Sequence, residues 1–172
     1  MAANKYLALI SGRLKEVFGL VVSSGAPDAN KIVALDAAGK LDASVLPAGV
    51  SAEVTVCASF ENLTAGDFVN LFLDSAVIKA RKADATTNAK PAHGFVLANV
   101  TAPANATVYR ISTANTALTG LTIGSDYWLS TTPGAATTTP PSATGNIVQE
   151  LGRATLTTSM VFANEKFYTE IA

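Results

Sequence analysis

The chain has 172 residues, enough for one well-buried core with a small appended arm and too few for two catalytic domains. Its 12 Lys and Arg against 13 Asp and Glu give a formal charge of -1, which leaves no cationic surplus for wrapping DNA or holding an anionic bilayer. Charged residues make up only 15% and hydrophobic ones 49%, a sparsely charged surface for a free monomer, so buried contacts with other subunits are expected.

In chain order, residues 5–22 come first. Leu7, Ile10, Leu14, Val17 and Val21 recur at helical spacing, but Gly12 and Gly19 interrupt the pattern at about 1 kcal/mol each relative to Ala. A hairpin is the favoured alternative, with strands Tyr6–Ile10 and Arg13–Phe18 around the two-residue loop Ser11-Gly12. Either way the segment has no apolar partner within residues 1–50, and it is expected to dock on another subunit. The longest apolar run, Val17–Val22, is far short of the ~20 residues that cross a bilayer. Ser11, Gly12, Arg13, Lys15 and Glu16 break up any secretory signal, so synthesis in a cytoplasm with no membrane partner is expected.

Ser23-Ser24-Gly25-Ala26-Pro27-Asp28 and Pro47-Ala48-Gly49 are linkers by composition. Between them Lys31–Asp36 reads as a short strand, Asp36-Ala37-Ala38-Gly39 as a turn, and Asp42 as the cap of one helical turn, Ser44–Leu46, ended by Pro47. From Ser51 onward the pattern is strand after strand: Glu53–Ala58, Phe68–Leu73, Val77–Lys82, Gly94–Val100, Thr107–Ser112, Tyr127–Ser130, Ile147–Thr155, Ser159–Ala163 and Phe167–Ile171. Short strands at this spacing predict a mainly β fold: a single small β-barrel or β-sandwich over residues 51–172, preceded by an extended N-terminal arm and connector over residues 1–50. Thr131–Thr144 is a Thr- and Pro-rich loop that either faces solvent for a purpose or crosses between sheets.

Residues that could carry chemistry are few. The lone His93 has no neighbouring Cys or second His to complete a zinc site, and no Gly-x-Ser-x-Gly elbow accompanies it. Cys57 has no possible disulfide partner and reads as a small buried strand residue. Asp36 and Asp42 are accounted for by turn and cap roles, and Gly39-Lys40 lacks the spacing of a phosphate loop. Tyr127 and Trp128 point to opposite faces of one strand, with Trp128 expected in the core, and Lys79, Arg81 and Lys82 are expected on a solvated face or guarding a sheet edge. No enzyme, cofactor or metal is expected.

The run KIVALDAAGKLDASVLPAGV, residues 31–50, resembles the linker near the N-termini of many tailed-bacteriophage virion proteins, in tail fibres and in small head-decoration (cement) proteins. Gly94-Phe95-Val96-Leu97 after Lys82-Ala83-Asp84-Ala85, then Leu118–Ser130 and Thr137-Thr138-Thr139-Pro140-Pro141-Ser142, resemble the β-rich module of the same proteins, so the likeness spans roughly residues 24–172. The resemblance brings no catalytic residue. It implies a structural protein on the virion surface, with capsid decoration as the expected role and a tail or head fibre component with host-surface carbohydrate binding as the alternative. On the first reading the partners are the major capsid protein and further copies of the chain in a homotrimer, with no nucleic acid. The contacts would come from Leu7, Leu9, Ile10, Leu14, Val17, Phe18, Ile32, Val33 and Leu35.

Overall fold

Turn chemistry at Ser11-Gly12 decides the first element. Both residues take positive φ, 53° and 77°, as a two-residue loop between twisted strands requires, and Gly12 does so without a Cβ penalty. The flanking residues form antiparallel strands β1 (Lys5–Ile10) and β2 (Arg13–Phe18), in register from Lys5 opposite Phe18 to Ile10 opposite Arg13. The hairpin is thus the observed form, and the helical spacing of the same apolar residues is not used. The structure, a computed structural model, describes residues 5–46, 53–163 and 167–172; the linker expected at Pro47-Ala48-Gly49 lies outside them. It divides into two compact units, Met1–Ser51 and Ala52–Ala172.

In the first unit Lys31–Asp36 does not form the expected strand. Instead Val33 makes a parallel bridge with Leu20, in which the Leu20 N–H donates to Ile32 O and the Ala34 N–H to Leu20 O, both at 2.8 Å. Apolar composition alone cannot make a ladder where no second run lies alongside. The turn that follows is as expected: Asp36 Oδ1 accepts from the N–H groups of Ala38 and Lys40, each at 2.8 Å. Asp42 Oδ1 accepts from the Ser44 N–H at 2.9 Å and caps a 3-10 turn, Ala43–Val45.

The second unit contains a closed five-stranded barrel. Strands β3 (Val54–Ser59), β4 (Phe68–Asp74), β5 (Val77–Lys82), β6 (Gly94–Val96) and β7 (Asn105–Tyr109) close in the order β3-β5-β4-β6-β7. The β3-β5 contact is parallel and the others antiparallel. Alternation lets adjacent residues serve two cores. Val69 and Val96 turn inward with Cys57, Ala80, Ala106 and Val108, while their neighbours Phe68 and Phe95, paired in register, turn outward into a second core.

That second core lies under a five-stranded sheet, whose β9, β12 and β13 fall on strands expected from the sequence. Strands β8 (Ala114–Asn115), β9 (Asp126–Leu129), β10 (Ala136–Thr137), β12 (Glu150–Leu156) and β13 (Ser159–Val161) run in the order β10-β9-β12-β13-β8, and β11 (Ile147–Val148) pairs separately with β14 (Thr169–Glu170). Phe68, Phe95 and Phe162 meet at centroid distances of 5.9–6.3 Å, joined by Tyr127, Leu129, Leu151 and Met160. Tyr127 and Leu129 are therefore the inward residues of β9, and Trp128 lies half-buried on the opposite face, reversing the expectation that it belongs to the core. Lys79 and Arg81 guard no edge, because β5 is flanked by β3 and β4 in a closed barrel; Lys79 pairs with Asp74 and Arg81 donates to Asn70 Oδ1.

Candidate functional site

Strand alternation sorts the hairpin side chains onto two faces. Leu7, Leu9, Leu14 and Phe18 share one face, with Leu9 directly opposite Leu14. They are 68%, 72%, 72% and 65% exposed. Lys5 and Glu16 belong to the same face and neutralise one another: Lys5 Nζ lies 2.7 Å from Glu16 Oε2 and 5.1 Å from the Phe18 ring centre. The opposite face carries Tyr6, Ala8, Ile10, Arg13, Lys15 and Val17. Both faces mix apolar and charged side chains, but the first carries four large apolar ones, all largely exposed, beside one internal ion pair. Such a surface suits burial against protein far better than contact with water.

Ile32, Val33 and Leu35 add exposed apolar surface after the hairpin. Ile32, Val33, Ala34, Gly19, Tyr6 and Lys5 line a shallow depression of about 240 Å³. Local order in this segment comes from polar contacts. Asp28 Oδ2 accepts from the Ser24 N–H at 2.6 Å and Oδ1 from Lys31 Nζ at 2.6 Å, and the Ser23 N–H donates to Ser44 Oγ at 2.8 Å. The Lys31 ammonium and the Ser24 N–H hold the Asp28 carboxyl below the usual carboxylate range, and the Ser44 hydroxyl and N–H do the same for Asp42. Among the described residues of 5–46, none is buried. These described residues therefore have little apolar burial to offset the roughly 1–2 kcal/mol per residue that ordering a backbone costs.

Of the nine contact residues expected from the sequence, the fold brings Leu7, Leu9, Leu14 and Phe18 together on one face. Ile10 and Val17 lie on the other face of the hairpin, Val17 half-buried, while Ile32, Val33 and Leu35 belong to the following segment. Val22, at the end of the longest apolar run, and Leu41, alone among turn residues, are also exposed and lie outside that set of nine. In the second unit His93 is a structural residue whose Nδ1 accepts from the Leu71 N–H at 3.0 Å. Burial pushes the Cys57 thiol above its ordinary pKa. Among the described residues no three His, Cys, Asp or Glu side chains gather as a metal site would require.

No family model and no curated protein matches the chain. Among solved structures it is similar to the head fibre gp8.5 N base of bacteriophage phi29, with a TM-score of 0.44 and 15% identity, covering 68% of this chain and 98% of that one. At that score and identity the likeness carries no argument.

Proposed function

We propose that this chain is a structural protein of a phage virion, a capsid decoration or cement protein that binds and stabilises the head through residues 5–46, and that it is not an enzyme. The observation that carries the reading is that Leu7, Leu9, Leu14 and Phe18 share one exposed face in a unit where none of the described residues of 5–46 is buried. The resemblance of residues 31–50 to phage virion linkers supports the setting. The partner of that face is the major capsid protein, and the chain assembles as a homotrimer on the particle surface. The mechanism is mechanical: apolar area removed from water at roughly 25 cal/mol per Å², repeated over symmetric copies, clamps neighbouring capsid subunits.

The test is a pair of charges on the exposed face. The variant carrying Leu9→Glu and Leu14→Glu places two carboxylates opposite each other where apolar contact is required, without touching either core of the second unit. Wild-type protein is expected to co-sediment with undecorated capsids and the variant to stay in the supernatant with its melting temperature unchanged. Full occupancy by the variant would sink the anchoring role, and binding to tails in place of heads would favour a fibre component.

A further inference from the structure

The two edges of the β1-β2 hairpin differ in charge. Tyr6–Ile10 of β1 carries no charged residue, whereas β2 carries Arg13, Lys15 and Glu16. Charges along an edge strand guard it against pairing with another chain, and an apolar edge without them invites such pairing. Beyond β2 the chain is bridged through Leu20 to Val33. Among the described residues no backbone hydrogen bond reaches Leu7 or Leu9 from outside the hairpin.

The register shows which backbone groups the β1 edge offers. Ile10 and Arg13 flank the two-residue loop and bond each other, so alternation turns Ala8 and Tyr6 toward β2. The N–H and C=O of Leu7 and Leu9 therefore point away from β2, each a donor and an acceptor outside any ladder. An isolated two-stranded hairpin is marginal in water, and three or more strands over an apolar face are what stabilise one.

We infer that this edge takes a second copy of itself: β1 of one chain pairs antiparallel with β1 of another about a two-fold axis through Ala8. The strand is self-complementary in that register. Leu7 faces the second copy's Leu9, Tyr6 faces Ile10 and Ala8 faces Ala8, so no charge meets a charge along Tyr6–Ile10. Leu7 and Leu9 each exchange both backbone bonds with the residue they face. A two-fold axis normal to the sheet keeps like faces together, so Leu7, Leu9, Leu14 and Phe18 of both copies form one apolar side of a four-stranded sheet. A two-fold parallel pairing would turn one hairpin over and set that face beside the one carrying Arg13 and Lys15, which disfavours it. The pairing is distinct from the proposed three-fold assembly and from the capsid contact, and links copies of different trimers. So short an edge is small beside the ~800 Å² per partner that stable complexes bury, so the pairing is transient in dilute solution and favoured where copies are crowded.

The test is oxidative trapping of the purified full chain. Facing residues of a non-hydrogen-bonded pair have Cα atoms about 4.5 Å apart, within disulfide reach. Ala8→Cys is therefore expected to form a covalent dimer at least about tenfold faster than Lys15→Cys, which alters the residue opposite Ala8 on β2. Tyr6→Cys mixed with Ile10→Cys should cross-link, whereas Tyr6→Cys alone should not, because pairing about Ala8 sets Tyr6 against Ile10. The native Cys57 is buried and common to every variant. Equal rates for Ala8→Cys and Lys15→Cys, or a dimer formed by Tyr6→Cys alone as readily as by the mixture, would overturn the pairing. No capsid enters the measurement, so its failure is separate from failure of the decoration role.

Discussion

Gln149 does the work of a missing strand. Its Oε1 accepts from the Ala92 N–H at 2.7 Å and its Nε2 donates to Ala92 O at 2.8 Å, so both backbone groups are satisfied where no ladder reaches them. Gln149→Leu strands both and is expected to cost about 3 kcal/mol in chemical denaturation. Asn70 adds to the same support by donating to Pro91 O at 2.8 Å. Neither role was legible in the sequence: Gln149 interrupts an expected strand, and its partner lies 57 residues away. Asp84 makes the acid response of this region predictable. Burial raises the pKa of its carboxyl, but the Thr86 hydroxyl and N–H and the Lys90 ammonium outweigh burial and hold it below the ordinary 3.8. A depressed folded value gives stability that is present above 3.8 and lost as pH falls through the lower, folded value. Asp84→Asn should therefore flatten the fall in unfolding free energy on acidification; an unchanged slope would contradict that role. His93 was legible as structural because it stands alone in the chain, with no second ligand to share a metal.

At the scale of elements, turns and long alternating strands were readable and very short strands were not. Val77–Lys82 forms as expected, and the Tyr6–Ile10 and Arg13–Phe18 hairpin forms around Ser11-Gly12 with β1 starting one residue earlier. The strands β8 and β10 have two residues each, too few for a period of two to appear, whereas the equally short β11 and β14 fall within the longer strands expected at Ile147–Thr155 and Phe167–Ile171. Gly94–Val100 was expected to run unbroken, but it leaves the barrel after Val96. Two backbone positions give tests. Ser75 and Ala76 close the β4-β5 hairpin with φ of 51° and 65°, a left-handed pair in which neither residue is glycine. Ala76→Gly should raise stability by about 1 kcal/mol in denaturant titration. Gly152 takes φ of 141°, and a Cβ there would lie 2.1 Å from Val161 O, so Gly152→Ala should cost about 3 kcal/mol and lower the melting temperature.

At the scale of the whole molecule the two units differ in what stabilises them. Residues 53–172 contain two apolar cores, whereas the described part of residues 5–46 contains no buried residue. The free chain should accordingly lose its first unit early to trypsin, at Arg13, Lys15, Lys31 or Lys40, while the second resists, as mass spectrometry of the surviving fragment would show. The sequence leaves Leu and Val of residues 1–50 without a facing apolar run nearby, from which an appended arm is expected. It could not reveal that four of those residues would share one face, since that depends on a register fixed by a two-residue turn. The most direct measurement is sedimentation velocity of the purified chain, alone and mixed with undecorated capsids. A trimer that co-sediments with capsids is the expected result, and a monomer that leaves them untouched would contradict the decoration role.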